Sequence, residues 1–293
     1  MNAMANPLDL DQLRTFAVIA DCGSFTEAAR RVFKTQSAVS MQIKRLEERL
    51  GENLLVRDGR SISLTRAGDA LYHHARRMLE INAEVEDLFS SDVLSGTIRI
   101  GIPDDYAVKV LPILLSSFQQ THPKILVDVK CKSSEELILD LQQGDYDLIV
   151  FTQGTSHETG ELLRTEPLSW VIGPGSDAHL QDPLPIACGN KQCCWRTNAE
   201  MALRDASINY RVAYTSSNAT AITSAVMAGL AVGVLAESSI TPEMRKLGLK
   251  DGLPPLKAAD IAIRRAANAY GGIYSALVAH IKSELDQAME DAA

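Results

Sequence analysis

No stretch of these 293 residues is apolar for the roughly 20 positions that a membrane-spanning helix needs. The opening residues, MNAMANPLDL, carry neither the basic cluster nor the apolar core of a secretory leader. Both absences make the cytoplasm the expected compartment. Cysteine is scarce and odd in number: Cys22, Cys131, Cys188, Cys193 and Cys194 follow no metal-ligand spacing, and an adjacent pair is a poor chelate. Reduced, unpaired thiols are what such a set implies in a reducing compartment. The six histidines form no H-E-x-x-H or comparable motif, so neither a metal nor another cofactor is expected. With 46% apolar and 23% charged residues, the chain still has hydrophobic material for two or three globular domains.

What is present is concentrated first in residues 25–50. Ser24 followed by Glu27 has the form of a capping box, and Ala28 and Ala29 let a neighbouring helix approach. Thr35 suits the N-cap of a second helix, whose apolar residues Val39, Ile43, Leu46 and Leu50 recur at helical spacing before a C-cap at Gly51. Burying that stripe turns Gln36, Ser37, Ser40, Met41 and Lys44 outward. An amide, hydroxyls and a cation near an exposed helix start suit a DNA major groove, where amides pair with adenine and hydroxyls serve base or phosphate. A plain polar helical hairpin would look the same on this stretch alone.

The flanks favour DNA. Leu10, Leu13, Phe16, Ala17 and Ala20 give a preceding amphipathic helix ended by Gly23. Residues 54–57 and 60–64 read as two strands about an Asp58-Gly59 turn. Three helices and a hairpin make a winged helix-turn-helix, with Arg57 and Arg60 at the wing, where cations reach phosphates or the minor groove. Residues 30–66 hold nine Lys or Arg against four acids, a net of +5 in a chain of net −8, so the remainder sums to −13. One basic island in an acidic chain marks a single polyanion-binding face.

Beyond the wing, residues 68 to about 92 contain no proline or internal glycine. Leu71, His74, Met78, Ile81, Val85 and Leu88 form a short heptad seam. Such a helix either pairs with its copy in a second subunit or packs back on its own domain. Strands then alternate with helices. Strands are expected at 97–102, 125–131, 147–152, 168–172, 210–214, 231–235 and 261–264, and helices near 106–120, 135–143, 195–204, 220–228 and 273–287. This is the pattern of a doubly wound α/β domain, and its element count fits two lobes.

In such sheets ligands sit at carboxyl ends of strands, against helix starts. Three junctions qualify: Pro103-Asp104-Asp105, Lys132-Ser133-Ser134 and Thr215-Ser216-Ser217-Asn218. Phe151-Thr152, Gly189-Asn190 and Val234-Leu235-Ala236 lie at other strand ends. Each polar residue here also suits a helix cap. Asp104 and Asp105 would repel an anion unless Lys132 or Arg196 compensates. The expected effector is therefore neutral, cationic or mixed in charge, hydrogen-bonded to Asp105.

The run Leu10-Asp11-Gln12-Leu13-Arg14-Thr15-Phe16, then Ser24-Phe25-Thr26-Glu27-Ala28-Ala29, then Thr35-Gln36-Ser37-Ala38-Val39-Ser40 with Ile43 and Leu46-Glu47, and Leu64-Thr65-Arg66-Ala67-Gly68, resembles the LysR-type transcriptional regulators. The match is dense to Gly68 and looser beyond. The resemblance implies DNA contact by Gln36, Ser37 and Ser40, with help from wing arginines such as Arg57. With their neighbours, the candidate DNA-binding set is Lys34, Thr35, Gln36, Ser37, Ser40, Met41, Lys44, Arg57 and Arg60. Met41 departs from the pattern: many members carry arginine there, and methionine meets a thymine methyl rather than a guanine edge.

Further implications of the resemblance concern assembly. It implies a DNA-binding domain at 1–67, a dimerising linker helix at 68–94 and an effector domain at 95–293. Lobe I would take about 95–164 and 265–293, and lobe II about 165–264, with crossings near Arg164 and Thr165 and near Arg264 and Arg265. A dimer, pairing into tetramers, would set two recognition helices on a pseudo-palindromic operator, with RNA polymerase as a further partner. The inter-lobe effector set is Asp104, Asp105, Lys132, Ser133, Ser134, Thr152, Ser216, Asn218, Val234 and Leu235. The Asp104-Asp105-Tyr106 run and residues 251–256 resemble one branch of the family that includes regulators of motility and surface behaviour.

Three other readings compete. A solute-binding protein would share the lobes but needs a leader and no basic head. An enzyme would rest on Asp104 and Asp105, or on Cys193 with a histidine, yet neither His157 nor His179 has an implied partner. Thiol sensing by Cys193 and Cys194 would replace ligand binding within the regulator reading, and changing both to serine separates the two.

Overall fold

The computed structural model describes residues 7–58, 61–89, 94–107, 110–154 and 160–290. Three helices open the chain because their apolar faces converge. α1 (Leu10–Cys22), α2 (Phe25–Arg31) and α3 (Gln36–Leu50) bury Leu13, Phe16, Ile19, Ala28, Val39, Ile43 and Leu46 in one core. The Asp9 carboxylate accepts from the Asp11 N–H to start α1, and left-handed Gly23 ends it. Ser24 Oγ accepts the Glu27 N–H, as its spacing suggests. Glu27 itself turns its carboxylate to Arg30 and Arg31. Leu50, placed on the inward stripe by its spacing, is 39% exposed; the chain reverses at Gly51 and Leu54 is buried in the core.

The wing consists of β1 (Leu55–Asp58) and β2 (Ser61–Leu64), antiparallel, with Leu55 opposite Leu64 and Asp58 opposite Ser61. This register takes Asp58 into β1, one residue beyond the strand end expected before an Asp58-Gly59 turn. It lets Leu55, Ile62 and Leu64 pack on the helical core, and a one-residue slip would turn them out. Gly59, Arg60 and the side chain of Arg57 lie outside the described residues. α4 (Arg66–Phe89) leaves the wing close to Leu54: a Cβ on Gly68 would stand 2.0 Å from the Leu54 carbonyl oxygen, so only glycine fits. One face of α4 buries Tyr72, Ala75, Leu79 and Ala83, while Met78, Ile81, Val85 and Phe89 are exposed. The side chain of Leu88, the last residue of the expected seam, lies outside those described.

Two five-stranded sheets follow. The first is built from β3 (Gly96–Ile102), β4 (Ile125–Cys131), β5 (Leu148–Gln153), β6 (Glu161–Glu166) and β12 (Ala259–Arg265), in the order β4-β3-β5-β12-β6. Its helices are α5 (Asp104–Ala107), α6 (Val110–Thr121), α7 (Ser134–Gln143) and α10 (Gly272–Glu290). The second contains β7 (Leu168–Ile172), β8 (Leu184–Cys188), β9 (Tyr210–Thr215), β10 (Val232–Ala236) and β11 (Arg245–Leu247), in the order β11-β7-β10-β8-β9. α8 (Cys194–Asp205) and α9 (Ala219–Met227) cover its two faces. The strands β3, β4 and β5, like β8, β9 and β10, run parallel, whereas β7, β11 and β12 are antiparallel to their neighbours.

The chain passes from the first sheet to the second at Pro167, between β6 and β7. It returns before Ala259, not near Arg264 and Arg265 as the sequence suggested, because β12 pairs with β5 and β6 and buries Ile261 and Ile263 in the first lobe. β6, β8 and β11 were not anticipated. β8 carries Pro185, which argues against a strand from pattern alone, yet it pairs on both sides. Where one helix was expected at 106–120, helix is described at Asp104–Ala107 and at Val110–Thr121; residues 108 and 109 lie outside those described. The same holds for His157.

Candidate DNA-binding face and effector cleft

Thr35 Oγ1 accepts the Ala38 N–H and begins α3. From that start Gln36, Ser37, Met41 and Lys44 are exposed and Ser40 is half-buried, opposite the buried Val39, Ile43 and Leu46. Lys34 is tied to Asp11, whose carboxyl that bond holds below its ordinary pKa. Gln42, which sequence reasoning passed over, braces the helix: its amide donates to Asp11 Oδ2 at 2.6 Å and accepts from Thr15 Oγ1 at 2.9 Å. Phe33 was missed too. It occupies the left-handed region at φ +55 between α2 and α3, with 92% of its surface exposed. Positive φ in an aromatic residue gives no signal in the sequence.

A cavity of about 100 Å³ lies between the lobes at the carboxyl ends of the parallel strands. Asp104, Asp105, Lys132, Ser133, Ser134, Thr152, Ser216, Val234 and Leu235 all line it. Asn218 does not, but its Nδ2 donates to Asp104 Oδ2 at 2.7 Å, joining lobe to lobe. Ser133 caps α7 reciprocally with Glu136, and Ser134 Oγ accepts the Thr152 N–H at 3.0 Å. Trp195 and Ile222 supply an apolar wall that the strand-end argument did not find. Trp195 sits in the first turn of α8 and packs against the cores of both lobes.

The charges of this cleft are unequal. Lys132 is paired with Asp140 at 2.6 Å and Arg196 with Glu200 at 2.8 Å, so neither is free to neutralise the aspartates. Burial, reinforced by Asp104 and Glu166, pushes Asp105 up to about 7. The thiols of Cys193 and Cys194 line the same cavity, and burial raises both, Cys194 to about 12. Such thiols stay protonated and react slowly. All five cysteines are free, and no metal-holding cluster occurs among the described residues. His179 bonds Arg245 at 2.9 Å and is not a cleft residue, so it cannot activate Cys193. No helix among the described residues is long and apolar enough to cross a membrane.

The chain matches two family models: residues 10–69 the bacterial regulatory helix-turn-helix protein of the lysR family, and residues 91–281 the LysR substrate binding domain. It is 34% identical over 284 residues to the HTH-type transcriptional regulator DgdR of Burkholderia cepacia, covering 97% of each chain. It is 37% identical over 250 residues to the HTH-type transcriptional regulator PecT of Dickeya dadantii, covering 85% of this chain and 79% of that one. HinK, a LysR family transcriptional regulator from Pseudomonas aeruginosa, shares the fold, with a TM-score of 0.54 at 22% identity, over 95% of this chain and 99% of the other. A winged helix-turn-helix head, a long helix and two α/β lobes flanking a cleft thus agree with both family models, and the chain belongs to the LysR family of DNA-binding transcriptional regulators.

Proposed function

We propose that this regulator reads a pseudo-palindromic operator in the cytoplasm as a dimer that pairs into a tetramer, with RNA polymerase as a further partner. Gln36, Ser37, Ser40, Met41 and Lys44 enter the major groove, Lys34 and Thr35 fix the helix start, and Arg57 and Arg60 meet the flanking backbone. The observation that carries this reading is the polar, exposed side of α3 at the tip of a basic head in an otherwise acidic chain. The exposed row Met78, Ile81, Val85 and Phe89 supports pairing of α4 with its copy.

The effector is neutral, cationic or mixed in charge and occupies the cleft with Asp105, Ser133, Ser134, Thr152 and Ser216 around it. The paired state of Lys132 and Arg196 supports this, since a dianion would face the Asp104 carboxylate and a partly ionised Asp105. Occupancy biases the closure of one lobe on the other and so the spacing of the two heads. The test is gel-shift binding of the purified protein to its own upstream DNA across a salt series, beside Gln36→Ala and Arg57→Ala. Specific binding that falls steeply with salt and is lost in both variants is expected. Variants that bind as the parent does would refute the assigned contacts. Tight binding of a simple dicarboxylate, undiminished in Asp105→Asn, would refute the effector class.

A further inference from the structure

We infer that the joint between the DNA-binding head and the first lobe is an anion site, taking phosphate or a small phosphate monoester. A cavity of about 290 Å³ lies there, between α4 and the adjoining ends of β6 and β12, and shares no residue with the effector cleft. Four guanidinium groups line it, those of Arg76 and Arg77 from α4 and of Arg264 and Arg265 from β12.

Glu80 and Glu161 line the same cavity, and among the described residues these two carboxylates and that of Asp21 are fewer than the cations. Arg265 pairs with Glu80 at 2.9 Å and Arg264 reaches Asp21 at 3.6 Å. Glu161, 3.9 Å from Arg265, is held by Lys282. Arg76 has no carboxylate within 4.0 Å among the described residues. Its Nη1 donates to the Tyr72 hydroxyl at 2.7 Å and its Nη2 to the Arg265 carbonyl at 2.6 Å, both neutral acceptors. Arg77 is exposed and has no ion-pair or hydrogen-bond partner among the described residues. One further polar atom of this wall, Arg264 Nε, is buried without a hydrogen-bond partner, and the Tyr270 hydroxyl faces Arg76.

Surplus positive charge, unmet donors and open space therefore coincide. Buried donors are ordinarily satisfied, and a buried cation ordinarily has a counter-ion. A phosphate group offers several charged acceptors that guanidinium forks engage in pairs, and here donors approach from two elements at once. The space holds more than a single water, which suits an oxyanion better than chloride. An anion bound there bridges α4 to β12, and so ties the head to lobe I.

The test is thermal unfolding of the full-length protein with phosphate, glycerol 3-phosphate, acetate or chloride at matched ionic strength, in the parent, Arg76→Gln and Arg77→Gln. A saturable rise in Tm with phosphate is expected, with apparent affinity at least tenfold weaker in Arg77→Gln, a change at an exposed side chain that leaves the fold's own bonds intact. Tighter binding of glycerol 3-phosphate identifies a monoester as the ligand, and equal or weaker binding identifies free phosphate. Acetate or chloride matching phosphate would overturn the inference. So would undiminished affinity in both variants, or loss of the response in Arg57→Ala, which would locate the anion on the DNA-binding face.

Discussion

The Arg31 guanidinium, at the end of the first helix of the helix-turn-helix pair, donates to the main-chain oxygen of Gln142 in the last turn of α7 at 2.9 Å. The other end of α7 begins at Ser133 and Ser134 in the effector cleft. One ten-residue helix thus reaches from the cleft to the DNA-binding head. The contact is close: Gly144 caps α7 at φ +86, and a Cβ there would stand 3.0 Å from Arg31 Nη2.

Arg31→Met keeps the apolar stem and removes the donor. The variant also loses the bond to Glu27, and is expected to lose about 1.5–3 kcal/mol, typical of hydrogen bonds to a charged group. Chemical denaturation checks the magnitude. Faster hydrogen exchange in the last turn of α7, without change at β4, would locate the effect.

Asp105 has a folded-state pKa of about 7 against an ordinary 3.8, so its ionisation opposes folding. The destabilisation is absent below pH about 4, grows between 4 and 7, and is complete above. Asp105→Asn is therefore expected to gain on the parent as pH rises, ending of order 4 kcal/mol more stable at pH 8. Thermal melts across that range check it; a difference that does not change with pH would contradict the assignment.

Asn218 performs two tasks, capping α9 through its Oδ1 and bonding Asp104 across the cleft through its Nδ2. Asn218→Asp preserves the cap and sets two carboxylates face to face. The expected result is an open cleft with a larger radius of gyration in small-angle scattering and little loss of helix content.

Ile81 is half exposed on the outer face of α4. If that face pairs with a second copy, Ile81→Glu buries a charge in each subunit and yields monomers. Light scattering on the eluted protein would show the mass of a single chain in place of the assembly, with helix content nearly unchanged because the fold within one chain does not bury this side chain, and Tm lowered by loss of the assembly. An unchanged mass would place the dimer contact elsewhere.

Met41 is 54% exposed near the start of α3. Met41→Arg introduces a bidentate donor, and selection from random DNA is expected to shift one position of the preferred site toward guanine by about 1–3 kcal/mol. An unaltered preference would mean that this position does not face a base edge.

The head was legible because its signals are local. Caps at Ser24 and Thr35, a C-cap at Gly51 and helical spacing of Leu13, Phe16, Val39, Ile43 and Leu46 each concern residues within a few turns of one another. The alternation of strand and helix was equally legible, since parallel strands need crossovers. The strand ends at Asp104, Ser133 and Ser216 pointed to the cleft for the same reason.

Local pattern was therefore enough for the winged head, the α4 helix and the doubly wound lobes. The remaining features depend on partners distant in the chain, and only packing settles those. β12 belongs to the first lobe through pairing with β5 and β6, which no local pattern in residues 259–265 specifies. Trp195 becomes a cleft wall only when α8 is set against both lobe cores. Arg31 meets Gln142 across 111 positions, and Arg76 meets Arg265 across 189. Such contacts follow from how sheets and helices pack, not from propensity, and they are what join the cleft to the DNA-binding head.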